Sequence, residues 1–114
     1  MLATHLTFTI ADSVPRFNVD PLCRGIAQQG GLDLEPSETL RQSIESCVTG
    51  EMAVRRKLVE EWSSFVASDK ENCAEESAAG GLPSYTELFT CLEMARKTRQ
   101  LSEQELGSGG HENF

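Results

Sequence analysis

The stretch that decides the fold is PSETLRQSIESCVTGEMAVRRKLVEEWSSFV, residues 36–66. Its apolar side chains recur at steps of three and four residues, the spacing that places side chains on one face of an α-helix. They are Leu40, Ile44, Cys47, Val48, Val54, Leu58, Trp62, Phe65 and Val66. The pattern predicts one amphipathic helix of about 30 residues. We expect a bend or break near Thr49-Gly50, because a glycine in a helix interior costs up to about 1 kcal/mol relative to alanine.

Shorter helical segments flank this stretch on both sides. Asp20-Pro21 is typical of a helix start, and Gly30-Gly31 is typical of a helix end. Ser68 and Ser84 each precede a glutamate by three residues, which is the capping box that begins a helix. Strand-like alternation is confined to residues 6–10. The sequence therefore predicts an all-α fold, a small helical bundle of about four helices joined by short loops.

Length and periodicity predict a single domain. A chain of 114 residues is the usual length for one domain. We expect the helical domain to span residues 12–101, because the periodic pattern fades after Leu101. Residues 102–114 are expected to form a disordered tail, since they lack periodicity. Residues 1–11 are interpreted as a signal remnant or a disordered N-terminus. The mildly apolar run that ends in small residues at Ala11 favours a signal remnant, whereas the lack of a positively charged start favours a disordered N-terminus.

The charge of the chain restricts its partners. Ten lysines and arginines against 18 aspartates and glutamates give a formal net charge of −8. This balance argues against nucleic acid as a partner, because neutralising phosphates requires a basic surface. It favours a cationic protein partner. No apolar run reaches the roughly 18 residues that a membrane-spanning helix needs, so no membrane span is expected.

Four cysteines, Cys23, Cys47, Cys73 and Cys91, are spread widely over the chain. An even number at wide spacing in a short chain predicts two disulfides if the compartment is oxidising. The alternatives are four free buried thiols and a four-thiolate zinc site, which is disfavoured because structural zinc usually takes cysteines in close pairs. The pairing Cys23–Cys47 with Cys73–Cys91 is favoured because it joins neighbouring antiparallel helices. The second choice is Cys23–Cys91 with Cys47–Cys73.

Catalytic patterns are missing from the sequence. His5 and His111 lie in the terminal segments, and neither a Ser-His-Asp cluster with local context nor a phosphate-binding glycine loop is present. We therefore expect no catalytic residue, no cofactor and no metal ligand. Trp62 is assigned to the core, because it shares the apolar face of the long helix. The alternative is that Trp62 and Tyr85 line a ligand pocket.

Basic residues are expected on solvated helix faces. Arg55-Arg56-Lys57 is followed by Glu60-Glu61, so that two basic residues have a glutamate one turn ahead. This spacing favours i,i+4 ion pairs over a functional basic patch. Arg96, Lys97 and Arg99 lie near the expected end of the last helix, where positive charge complements the helix dipole.

Several of these residues belong to motifs within residues 47–96. The motifs are Cys47-Val48-x-x-Glu51, Arg55-x-x-Leu58-x-x-x-Trp62-x-x-Phe65, Asp69-Lys70-x-x-Cys73 and Gly80-Gly81-x-Pro83-Ser84-Tyr85-Thr86-Glu87-Leu88-x-x-Cys91-Leu92-Glu93-Met94-Ala95. In these motifs the chain resembles a group of small exported four-cysteine proteins of alphaproteobacteria. The resemblance implies export. It implies no activity and assigns no catalytic residue, because the group has no established function.

These observations favour a non-enzymatic periplasmic or secreted helical protein that acts by binding another protein, in an envelope-stress or chaperone-like role. If residues 1–11 are not a signal remnant, the expected location is the cytoplasm. The alternative function is a small-ligand carrier or minor enzyme with a pocket between helices near Trp62 and Tyr85. A cavity at these two side chains would favour the carrier, and a filled core would favour the binding module.

Overall fold

The computed structural model describes residues 13–29 and 38–107, and in these two ranges it contains helices and no strand. Four α-helices follow one another: α1 Asp20–Gln29, α2 Glu38–Glu61, α3 Ala67–Ala78 and α4 Tyr85–Gly107. A 3₁₀ turn, Trp62–Ser64, follows α2. The predicted all-α fold with four helices is confirmed. Residues 1–11, interpreted as a signal remnant, and the two histidines lie outside the described residues.

The helices pack in the order α1, α2, α4, α3. Helix α2 contacts both α1 and α4, and α4 contacts both α2 and α3. Disulfides fasten each outer helix to its central neighbour: Cys23–Cys47 joins α1 to α2, and Cys73–Cys91 joins α3 to α4. The Cα atoms are 5.6 Å apart in both bonds. The favoured sequential pairing is therefore the one that forms.

The core lies where the two central helices meet. It includes residues of every helix and of the segment before α1: Val14, Val19, Cys23, Leu58, Trp62, Phe65, Cys73, Ala74, Tyr85, Leu88 and Leu92. Residues 13–19 precede α1 and were not assigned to any element by periodicity. Because Val14 and Val19 of this segment are buried, it forms part of the packed domain.

We expected a bend or break near Thr49-Gly50, and the helix is not broken there. Helix α2 runs from Glu38 to Glu61 through the glycine. Cys47 is tied to α1, and Glu51 accepts hydrogen bonds from the start of α4, so this turn of α2 is held on both sides of the glycine. The roughly 1 kcal/mol that glycine costs a helix does not break a turn that is fixed on both sides by such contacts.

Helix α2 also ends earlier than its apolar pattern predicts. The pattern continues to Val66, but the backbone tightens into the 3₁₀ turn and then becomes extended at Phe65 (φ −97°, ψ 152°). Phe65 remains buried, whereas Val66 is exposed. The apolar periodicity therefore predicted the burial of Phe65 correctly but did not predict where α2 ends.

Of the two predicted capping boxes, only the one at Ser84 caps a helix. The Ser84 hydroxyl accepts the Glu87 N–H at 3.2 Å. Helix α3 instead begins at Ala67, and its N-cap is Val66, whose side chain makes no capping hydrogen bond. Gly81, with φ +81°, follows the end of α3, as expected for a glycine that closes a helix.

Helix α4 is longer than expected. It continues past Leu101 to Gly107, so residues 102–107 are helical where a tail was expected. This places Arg96 and Arg99 in the middle of the helix instead of in its last turn. The remainder of the expected tail, residues 108–114, lies outside the described residues.

Candidate interaction surface

Tyr85 is a core residue that holds the 13–19 segment against the bundle. Its side chain is 1% exposed. The hydroxyl accepts the Phe17 N–H at 2.6 Å and donates to the Pro15 carbonyl at 3.2 Å. The ring stacks on Phe17 with a centroid distance of 4.9 Å. Tyr85 therefore has a filled environment and a fully used polar group, which is typical of a buried tyrosine in a structural role.

Trp62 is also buried, as predicted. Its side chain is 6% exposed, and the Lys70 ammonium lies 5.2 Å from the centre of its ring. Lys70 is itself buried, which suits a cation held over an indole face. The indole Nε1–H has no hydrogen-bond partner among the described residues.

A buried carboxylate that sequence reasoning missed organises the start of α4. Glu51 is 7% exposed, and its Oε1 accepts the Tyr85 N–H at 2.6 Å. Its Oε2 accepts the hydroxyls of Thr86 at 2.7 Å and of Ser84 at 3.2 Å. A negative charge at a helix N-terminus satisfies exposed N–H groups and complements the helix dipole. Its burial could have been predicted from the sequence, because Glu51 lies four residues after Cys47 and seven before Leu58 and therefore falls on the apolar face of α2.

A surface groove lined in part by Trp62 lies between the 13–19 segment and α2. We call it the Trp62 groove. It has a volume of about 400 Å³ and is open to solvent. Its lining consists of Ser13, Val14, Arg16, Arg55, Val59, Trp62 and Ser63. Tyr85 lies outside this lining, so the two aromatic residues proposed to share a ligand pocket do not share this one.

The two arginines of the Trp62 groove differ from Arg24, Arg41, Arg96 and Arg99, each of which pairs with a carboxylate. Among the described residues, no carboxylate forms an ion pair with Arg16 or Arg55. Arg16 is exposed; Arg55 is half-buried, with its guanidinium carbon 5.9 Å from the centre of the Tyr85 ring. The groove therefore carries two guanidinium groups without a carboxylate partner in the described part of the chain.

The predicted ion pairs along α2 are wrong. Glu61 pairs with Arg96 of α4 at 3.1 Å instead of with Lys57. The Lys57 ammonium lies 5.7 Å from the centre of the Phe89 ring. Arg56 is exposed and forms no ion pair with Glu60 or any other described residue. The basic triplet is consequently not neutralised by the two glutamates that follow it.

A second groove, with a volume of about 810 Å³, lies between α1 and the first half of α2. Its charged residues are already paired within their own helices. Arg24 bonds Asp20 at 3.3 Å, and Arg41 bonds both Glu38 and, at 2.7 Å, Glu45. Although this groove is larger than the Trp62 groove, its ion pairs leave little local charge to attract a partner.

Arg96 and Arg99 connect helices instead of complementing the end of α4. Arg96 donates to Glu93 at 2.7 Å and to Glu61 at 3.1 Å, and its hydrogen bond to Glu93 is the largest cause of the raised pKa of its guanidinium. Arg99 binds both carboxylate oxygens of Asp69, at 2.8 and 2.9 Å. That hydrogen bonding lowers the pKa of the Asp69 carboxyl below its usual value.

The four cysteine sulfurs are all bonded to one another in pairs. This overturns the alternatives of four free thiols and of a four-thiolate zinc site. Across residues 13–29 and 38–107, no three His, Cys, Asp or Glu side chains are grouped so that they could hold a metal ion.

Comparison with protein-family models, with curated proteins and with solved structures finds no match. The resemblance to exported four-cysteine proteins of alphaproteobacteria therefore stays a prediction. None of the described helices combines the length and the apolar character needed to cross a membrane.

Proposed function

We propose that this chain is a non-enzymatic helical module that binds another protein in the periplasm or outside the cell. The observation that carries the proposal is the filled centre of the bundle. Leu58, Leu88 and Leu92 are completely buried, and Tyr85 is almost so. A carrier needs a largely enclosed apolar cavity, whereas both grooves described above are open at the surface. This arrangement supports recognition by the outer surface.

The two disulfides support an oxidising location. Such bonds persist outside the reducing cytoplasm, and small secreted domains use them where the apolar core is small. Here each one fastens an outer helix to the central pair, α2 and α4. The resemblance to exported proteins agrees with this location.

Exposed apolar side chains support an envelope-stress or chaperone-like version of the proposal. Met52 and Val59 are exposed seven residues apart on α2, and Met94 and Leu101 are exposed at the same spacing on α4. A spacing of seven returns to nearly the same side of a helix. Exposed methionine and aliphatic side chains adapt to varied partner surfaces, which suits a protein that binds several clients.

The test is capture of a partner by the oxidised full chain. We expect the immobilised protein to retain one or more proteins from an envelope extract, and the purified partner to bind it saturably. The control is the same chain reduced and alkylated, which loses the two disulfides and should bind much less. Absence of any saturable protein partner would contradict the proposal.

Native mass spectrometry of the purified protein separates the proposal from the carrier alternative. A binding module should have the mass of the bare oxidised chain. A small molecule retained at a fixed stoichiometry would instead favour the carrier.

A further inference from the structure

We propose that the Trp62 groove binds a carboxylate-bearing segment of the partner protein, with Arg16 and Arg55 as the residues that bind the carboxylate. The inference rests on the proposed protein-binding function and adds to it a surface and a chemical class of partner. It also replaces the expectation, taken from the net charge, that the partner is cationic.

The charge pattern is the first support. Acidic residues outnumber basic ones by 18 to 10, so carboxylates are plentiful. Nevertheless, Arg16 and Arg55 have no ion-pair partner among the described residues, while Arg24 and Arg41 each bond to acids on their own helix. A guanidinium presents five N–H donors in a planar fork that matches the two oxygens of a carboxylate. The groove therefore offers guanidinium N–H donors that bind no carboxylate of the described residues and can bind one from a partner.

The position of Arg55 is the second support. Its side chain is half-buried, and its guanidinium lies over the Tyr85 ring, which the 13–19 segment and α4 hold in place. A partly desolvated and oriented guanidinium loses little freedom when it binds a carboxylate, and the charge-assisted hydrogen bond is stronger than it would be in water. Arg16, which is exposed, can approach the same ligand from the opposite wall of the groove.

The rest of the lining indicates a peptide segment. Val59, which is 52% exposed, supplies most of the apolar surface of the lining, and Val14 and Trp62 contribute the 7% and 6% of their surfaces that remain exposed. Ser13 and Ser63 add hydroxyl groups that can bond a partner's backbone. An open groove with apolar, hydroxyl and cationic groups side by side fits an extended segment in which an acidic residue adjoins an apolar one.

The surrounding charge favours a carboxylate over a polyanion. A nucleic acid or an anionic membrane extends beyond the groove and would meet the acidic surface of a protein whose net charge is −8. At physiological ionic strength, charges are screened beyond about 8 Å, so the arginines dominate within the groove itself. A short segment with one or two carboxylates experiences mainly the local positive charge.

The experiment is selection of peptides by the full oxidised chain from a displayed library of random dodecamers. We expect selected peptides to place aspartate or glutamate beside an aromatic or aliphatic residue. Tryptophan-free examples are then synthesised and titrated. Because Trp62 is the only tryptophan, its emission reports binding in the groove directly. We expect Arg16→Gln and Arg55→Gln each to raise Kd about tenfold, as loss of a charge-assisted contact does.

The matched control is Arg56→Gln, which removes the same charge from the neighbouring position of α2 but from a side chain outside the groove lining. We expect it to change Kd by less than about twofold, since it removes only long-range attraction. Arg16 is exposed and forms no ion pair with another described residue, so its variant tests the inference even if Arg55→Gln weakens the packing on Tyr85.

Four results would overturn the inference. They are enrichment of lysine- and arginine-rich peptides, equal weakening by Arg56→Gln, unchanged binding to an Arg16→Gln/Arg55→Gln double variant, and no selected peptide at all. A fifth such result is a phosphoserine peptide that binds far more tightly than its glutamate counterpart, because it would overturn the assignment to carboxylate. If envelope proteins still bind the chain saturably, only the groove assignment fails. If neither peptides nor proteins bind, the proposed function fails as well.

Discussion

Removal of the Glu51 carboxylate should destabilise the protein by about 2–4 kcal/mol, although Glu51 lies in the middle of a helix and far from α4 in sequence. In Glu51→Ala, the Tyr85 N–H loses the Glu51 oxygen that accepts it at 2.6 Å, and the Ser84 and Thr86 hydroxyls lose their acceptor on the same carboxylate. An unsatisfied buried donor costs about 1–3 kcal/mol. Loss of a helix cap costs about 1 kcal/mol, and loss of the favourable charge at the helix start costs a few tenths more.

Glu51→Gln separates the charge from the shape of the side chain. Its amide oxygen can still accept the Tyr85 N–H, so we expect a smaller loss of about 1 kcal/mol. The control is Glu60→Gln, which removes the same charge from an exposed position on α2 and should change stability by less than about 0.5 kcal/mol.

The assay for these variants is urea unfolding followed by far-UV circular dichroism, with the disulfides intact. The free energy of unfolding should decrease with urea concentration at the same slope as in wild type, while the urea concentration at the midpoint of unfolding falls. Amide hydrogen exchange at Tyr85 should also become faster in Glu51→Ala, because that amide loses its acceptor. If both Glu51 variants match Glu60→Gln in stability, the assignment of Glu51 as the cap of α4 is refuted.

Four further predictions follow from the packing. Gly50→Ala should stabilise the protein by about 0.5–1 kcal/mol in urea unfolding, because α2 is continuous there and an added Cβ meets no atom within 4 Å; destabilisation would indicate a strained helix. Trp62→Ala should cost about 3–5 kcal/mol, and native Trp62 should resist acrylamide quenching, whereas quenching as fast as that of free tryptophan would place the ring in solvent. The oxidised protein should contain no thiol that reacts with Ellman's reagent, and a stoichiometric thiol signal would contradict the pairing. Removal of either disulfide by paired Cys→Ser substitution should lower the free energy of unfolding by about 2–5 kcal/mol. The ion pair of Asp69 with Arg99 should stabilise the fold fully above pH about 3.8 and lose its effect as the pH falls through the lowered pKa of the Asp69 carboxyl. The melting temperatures of wild type and Asp69→Asn should therefore differ at pH 7 and converge in acid. A difference that stays constant with pH would show that the carboxylate charge is not responsible.

The prediction of helices succeeded where the signal is local. Steps of three and four between apolar residues place side chains on one face whatever the remainder of the chain does, so Leu58 and Trp62 could be assigned to the core in advance. Disulfide pairing followed from the same local picture, because short loops between helices make neighbours antiparallel. Glycine and serine patterns were less decisive: Gly81 closes α3 as expected, but Ser68 does not cap it.

The sequence by itself determined that the protein is helical and acidic, because periodicity and composition can be read without knowing which helices meet. It favoured the sequential disulfides but left a second pairing open, and the structure decided between them. Tertiary structure alone decided how α2 meets α4. Glu51 reaches the start of α4, and Arg96 reaches back to Glu61, in pairs separated by 34 and 35 positions along the chain. Only the folded backbone brings such donors and acceptors to within 3 Å or so of one another, and the energy they gain there outweighs the local preferences of a glycine or of an i,i+4 ion pair. The same packing brings Arg16 of the 13–19 segment and Arg55 of α2 to the lining of one groove, which their spacing in the sequence does not predict.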